Sequence, residues 1–166
     1  MAVTTSKTAQ VTLPTDTQVL IVREFDAPRA LVWKAYTTPE LIKRWWAGQR
    51  GHVTSVECDL RVGGAWRYVM VATGGFEVAF HGEYREIEPE ARLVTTEVYE
   101  TGDPNPEAAL VTTTFTEADG RTTLEQVMEV SSREIRDMIL ATGMEGGMQE
   151  SYDALEQVAA ELSARS

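Results

Sequence analysis

Cysteine is almost missing from this chain of 166 residues: Cys58 stands alone, so no intrachain disulfide forms and no thiolate cluster can hold a metal. Lysine is nearly as scarce, and its three copies with twelve Arg are scattered among 26 carboxylates. The resulting net charge of -11 leaves no clustered positive surface for phosphates, which argues against nucleic acid and anionic membranes as partners. No apolar run approaches the roughly twenty residues of a membrane span, so membrane insertion is not expected. Histidine occurs only twice. His52 and Cys58 lie six residues apart on one predicted strand, about 20 Å if extended, too far to act as base and nucleophile. His81 and Glu83 share a strand face, but two ligands do not make a metal site. No catalytic set is assigned, no cofactor is expected, and binding is favoured over catalysis.

Residues 1–16 contain one Lys, several Thr and no apolar run. They read as a flexible tail without a secretion signal, so a cytoplasmic protein is expected. The remaining residues, 17–166, read as one domain, because 43% hydrophobic content at this length suits a single core.

What the chain does have is period-two alternation. A first strand over 17–25 puts Val19, Ile21 and Phe25 on one face. Two short helices follow: one opened by Asp26 as N-cap with Pro28 in its first turn, the other over 41–46 after Thr38-Pro39-Glu40. From 53 to 130 six alternating segments are separated by Gly63-Gly64, Gly74-Gly75, Pro89-Glu90 and Asp119-Gly120, which supply the backbone freedom of tight reversals. Gly102-Asp103-Pro104-Asn105-Pro106 reads as a longer exposed loop in the position of a lid. The period then changes to helical. Ile135, Met138 and Ile139 define one stripe and Met144, Met148, Ser151, Leu155, Val158 and Leu162 another, out of phase, so the helix must break near Thr142-Gly143. Capping boxes at Ser131/Glu134 and Thr142/Glu145 agree with helices over 132–141 and 143–164. The expected class is α+β: an antiparallel sheet of about seven strands, two short helices after the first strand, and a long C-terminal helix covering the sheet.

A sheet gripping one helix leaves room for a cavity. Trp66, Tyr68 and Met70 share a face on one strand, as Phe76, Val78 and Phe80 do on the next. Opposite them stand Met144, Met148 and Tyr152 of the long helix, with one of Trp45 and Trp46 turned inward. Such residues also fill ordinary cores. Gln126 carries more information, because it shares a face with Leu124, Met128 and Val130 and must find a partner in the protein or in a ligand. Residues 93–100 offer two rows, Thr95, Glu97 and Tyr99 against Val94, Thr96 and Val98, and alternation does not say which faces in. The candidate cavity is lined by Trp46, Trp66, Tyr68, Met70, Phe80, Gln126, Met144, Met148 and Tyr152. Gly143, Gly146 and Gly147 weaken the start of the long helix, which implies either close backbone approach or space for a ligand.

Phe25-Asp26-Ala27-Pro28 before Val32-Trp33, Thr38-Pro39-Glu40 with Trp45-Trp46, Gly63-Gly64-Ala65-Trp66, Gly82-Glu83-Tyr84 with Glu88-Pro89 and Arg92-Leu93, and Gly143-Met144-Glu145-Gly146-Gly147-Met148 together resemble one family. It is the SRPBCC superfamily, with its START-like helix-grip fold, in a branch similar to the C-terminal domain of the activator of the ninety-kilodalton heat-shock protein ATPase. The resemblance covers about 19–162. It implies a cavity between sheet and C-terminal helix that takes a lipid or other apolar small molecule. It also implies two alternatives: an accessory or stress-response role on a chaperone ATPase, and a polyketide cyclase or aromatase-like activity. Activators of that kind carry an additional N-terminal docking domain, for which no room is expected here. A homodimer is left open.

Overall fold

The computed structural model describes residues 8–102 and 107–165. Eight strands form one antiparallel sheet: β1 (Gln10–Thr12), β2 (Gln18–Phe25), β3 (Gly51–Cys58), β4 (Ala65–Ala72), β5 (Glu77–Glu88), β6 (Arg92–Tyr99), β7 (Ala109–Ala118) and β8 (Arg121–Glu129). Their spatial order is β1-β2-β8-β7-β6-β5-β4-β3, so the six strands after β2 run as a meander and the last of them pairs back onto β2. Helices α1 (Arg29–Thr37) and α2 (Pro39–Trp45) follow β2, and α3 (Arg133–Ala141) and α4 (Met144–Arg165) close the chain.

The eighth strand comes from the segment expected as a tail. Gln10 to Thr12 pair with Val22 to Leu20, and the backbone of Ala9 exchanges two hydrogen bonds with the Gln149 amide, at 3.0 and 2.8 Å. Backbone pairing of this kind needs no apolar side chains, so a hydropathy reading passes over it. The expected loop at 103–106 lies outside the described residues.

Turn chemistry fixes the register of the meander. Asp119 and Gly120 both take positive φ, 54° and 76°, the mirror-image turn whose twist suits two antiparallel strands. The caps differ from expectation in detail. Pro28, not Asp26, occupies the N-cap of α1, and no side chain bonds to the turn there. Asp26 instead pairs with Arg121 at 3.0 Å. Ser132, not Ser131, caps α3, accepting from the Ile135 amide at 3.2 Å, while Ser131 turns to Glu107. Thr142 donates back to the Ile139 carbonyl at 2.6 Å, and Gly143 with φ of 82° makes the break before α4. A left-handed residue at this position ends one helix and redirects the chain into the next.

The main core joins α1, α2 and α4 to β2, β7 and β8 through Ile21, Phe25, Val32, Ile42, Leu124 and Leu155. A smaller cluster of Trp66, Tyr84 and Leu93 sits farther along the sheet. Arg23 shares the inner face of β2 with Val19, Ile21 and Phe25 and is 1% exposed. Its guanidinium donates to Asp153 at 2.9 Å and Glu156 at 2.8 Å and lies 5.0 Å from the centre of the Phe25 ring, tying α4 to the sheet.

Candidate functional site: a cavity between the sheet and the long helix

Both clusters contribute walls to one cavity of about 510 Å³. That volume falls within the range of roughly 300 to 1,000 Å³ typical of small-molecule pockets. Its floor comes from β2 and β4 to β8, and its walls from α1, the end of α2, α3 and the first turns of α4.

Of the side chains predicted for it, Trp46, Trp66, Tyr68, Phe80 and Gln126 line it, as do Met144, Met148 and Tyr152. Met70 does not. It follows Trp66 and Tyr68 on the same strand face but lies nearer the strand end, where its methyl packs on Gly51. Phe76 is likewise removed: it sits in the β4–β5 turn, 62% exposed, leaving Val78 and Phe80 to face inward.

The tryptophan pair behaves differently from the expectation that only one turns in. Trp45 is buried, donates from Nε1 to the Ala35 carbonyl at 2.9 Å, and stacks on Tyr36 with ring centres 5.5 Å apart. Trp46, at the helix C-cap, makes edge contacts with Tyr68 and Phe80 at 5.4 and 5.7 Å. Trp46 keeps helical backbone angles, φ -60° and ψ -39°, so the two rings leave the helix about 100° apart and reach different walls.

Gln126 finds protein partners. Its Nε2 donates to Tyr36 Oη at 2.9 Å and Thr113 Oγ1 at 3.1 Å, and Tyr152 Oη reaches its Oε1 at 3.5 Å. This network joins α1, β7, β8 and α4 at the back of the cavity. Burial pushes the Tyr36 phenol up to about 12 and Tyr152 well above the ordinary tyrosine value, so both stay protonated donors.

The question left open on β6 is settled by Thr95, Glu97 and Tyr99, which line the cavity together with Leu93. Glu97 is the group the sequence reading left out of its site. No hydrogen bond or ion pair holds its carboxyl among the described residues, and desolvation alone pushes it up to about 7. Part of its surface stays open to the cavity, which is why a carboxylate can survive there at all. Among the described residues the buried side-chain polar atom without a hydrogen-bond partner is Trp66 Nε1, which lies against Gly82, where any β-carbon would strike the Thr96 carbonyl.

Gly146 and Gly147 make room for neither a backbone nor a ligand. The Arg50 side chain lies across them, within 2.6 Å of where a β-carbon on Gly146 would stand. The loop before β3 is thereby strapped to α4. Gly48 packs on Glu150, the Gln49 amide donates to Glu150 Oε1 at 3.2 Å, and Ser151 Oγ donates to the Trp46 carbonyl at 2.7 Å.

The remaining polar clusters lie elsewhere. His81 pairs with Glu100 at 2.8 Å rather than with Glu83, and Arg67 completes the group. The Arg67 guanidinium, then His81, hold the Glu100 carboxyl down at about 2. Burial raises the Cys58 thiol, so it is held as a neutral thiol. Among the described residues no group of three or more His, Cys, Asp or Glu is placed to hold a metal, and no helix is long and apolar enough to cross a membrane.

An eight-stranded antiparallel sheet with four helices, the last one long and packed over the sheet, defines the helix-grip class, and the cavity stands where that class encloses one. The chain belongs to the family described as activator of Hsp90 ATPase homolog 1-like protein, whose pattern matches residues 26–160. A crystal structure of a Rhodobacter sphaeroides protein is similar at 27% identity and a TM-score of 0.84, covering 92% of this chain and 99% of that one. A Mycobacterium smegmatis protein is similar at 26% identity and a TM-score of 0.80, covering 90% and 94% respectively. A Nitrosomonas europaea protein at 22% identity, with a TM-score of 0.82 over 92% and 99%, shares the fold. Among curated proteins, none matches.

Proposed function

We propose that the protein binds a hydrophobic small molecule in the cavity between sheet and long helix, without transforming it. The observation that carries this reading is an internal space of about 510 Å³ walled by aromatic and methionine side chains. A void of that size in a close-packed interior forfeits dispersion contacts on every wall, and an apolar ligand restores them. The polar groups at its back, Tyr36, Gln126 and Tyr152, are bonded to one another, which orients them but leaves no nucleophile with a base beside it.

Titration with the neutral dye N-phenyl-1-naphthylamine tests the proposal. Saturable binding of one dye per chain, reduced at least tenfold by Met148→Trp, is expected. Non-saturable fluorescence, or binding indifferent to the filled cavity, refutes it.

A second reading, action on a heat-shock chaperone ATPase, is carried by the family description alone. ATP turnover of an Hsp90-type chaperone, measured with and without this protein, decides it. No change removes that reading.

A further inference from the structure

The cavity has a chemical sign. Its titratable lining consists of Glu97, Glu107 and five tyrosines, and no Lys, Arg or His reaches it among the described residues. Glu97 lines the cavity from β6, paired across the ladder with Ala109, the first residue of β7. Among the described residues its carboxyl has neither a cation nor a hydrogen-bond donor against it. Tyr36 from α1 and Tyr152 from α4 are the titratable groups whose charge it feels; Tyr36 Oη accepts from Gln126 Nε2, and Tyr152 Oη donates to Gln126 Oε1. Tyr68 of β4, Tyr84 of β5 and Tyr99 of β6 complete the titratable walls, with Glu107 exposed at the rim.

We infer that the ligand is an apolar amine, whose ammonium pairs with Glu97 while its hydrocarbon or aromatic body fills the space between Trp46, Tyr68, Phe80 and Met148. This assignment rests on the binding function proposed above. Three features converge on it. A carboxylate kept unpaired in an apolar wall is costly unless something that enters the cavity pairs with it. Indole and phenol faces attract a cation as well as an apolar body. An apolar carboxylate, by contrast, meets Glu97 as a like charge, with no cation on the lining among the described residues to hold it. A net charge of -11 steers the same choice from outside.

The pH dependence follows from the same carboxyl. An alkylammonium, like the lysine side chain, stays charged from pH 5.5 to 8.5, while Glu97 loses its proton near 7. Amine affinity therefore rises with pH across this interval, and the affinity of an alcohol of the same length does not.

Displacement of N-phenyl-1-naphthylamine by decylamine, decanol and decanoate, each below its micellar concentration, tests the inference on the wild type and on Glu97→Gln. At pH 8.5 decylamine is expected to displace the dye at a tenfold or more lower concentration than decanol, and decanoate least well. In Glu97→Gln, with each displacement referred to the variant's own dye affinity, the amine should fall to the level of the alcohol. Decanol or decanoate binding the wild type as tightly as decylamine overturns the inference and leaves the cavity reading intact. Decylamine binding equally well to Glu97→Gln overturns it too, because the acidic surface then suffices. Absence of any dye binding overturns the cavity reading and this inference with it. Should Glu97→Gln fail to fold, the wild-type pH profile decides: a flat amine affinity between pH 5.5 and 8.5 refutes the pairing.

Discussion

Arg23 of β2 and Glu156 of α4, 133 residues apart in sequence, meet at 2.8 Å beneath the long helix, and the same carboxylate accepts the Asp26 amide at 2.8 Å. This pair, with Asp153 beside it, bolts the long helix to the inner face of β2. Replacing Arg23 by Ala is expected to cost about 3 kcal/mol, toward the lower end for breaking a buried pair, because Glu156 keeps a backbone donor. Asp153, 65% exposed, should matter far less, and Asp153→Asn is expected to cost under about 1 kcal/mol. Urea unfolding of both variants checks the contrast.

Glu97 makes stability depend on pH in an unusual direction. The folded carboxyl holds its proton to about pH 7, whereas in the unfolded chain it is released near the ordinary value of 4.5. The native state therefore binds the extra proton between these values, and stability declines as pH rises from 4.5 to 7 and then levels. The full span corresponds to about 3 kcal/mol as an upper bound, reduced by water in the cavity. Glu97→Gln should remove this decline and be more stable than the wild type at pH 8. Urea midpoints between pH 4.5 and 8 measure it, and an unaltered slope in the variant would show that other groups cause it.

Met148 and Leu155 lie two turns apart on α4, one bordering the cavity and the other 0% exposed in the core. Leu155→Ala should cost about 2 to 5 kcal/mol, the ordinary range for a filled core. Met148→Ala should cost about 1 kcal/mol or less, since a side chain beside empty space has fewer contacts to lose. Equal losses at the two positions would mean that the cavity is closed in solution.

The two glycines of α4 separate cleanly. A β-carbon on Gly147 would meet Arg50 at 3.8 Å, an ordinary contact, so Gly147→Ala should stabilise by up to about 1 kcal/mol through helix propensity. On Gly146 the same atom would come within 2.6 Å of the guanidinium and must displace it. Arg50 is half exposed and its bond to Glu150 is 3.3 Å long, so that displacement offsets the propensity gain and the net change should be near zero. Thermal unfolding of the two variants resolves them.

Much of this architecture is written in the chain. Alternation over β3 to β8, the Asp119-Gly120 turn, the phase slip between Ile139 and Met148 and the Gly143 break are local signals, because strand pleat, turn conformation and helix period act over a few residues. They imply a sheet covered by a long helix, and they place Trp66, Tyr68, Phe80 and Met148 on facing surfaces. β1 was not legible, since its bonds run through the backbone and through Gln149. Nor was the cap at Ser132, where two adjacent serines offer the same chemistry and only the helix phase selects one.

What tertiary structure alone decided is the polarity of the cavity. The sequence names Glu97 and Val98 as neighbours on a strand with apolar and polar residues in both rows, and a one-residue change of register would exchange them. Pairing of Glu97 with Ala109 on β7, in the same register that puts Thr95 and Tyr99 on the cavity face, turns the carboxyl inward. Arg23 and Arg50 are likewise unremarkable as letters. One becomes a buried anchor and the other a strap over two glycines because α4 is laid across them, and charge burial depends on that long-range packing rather than on local sequence.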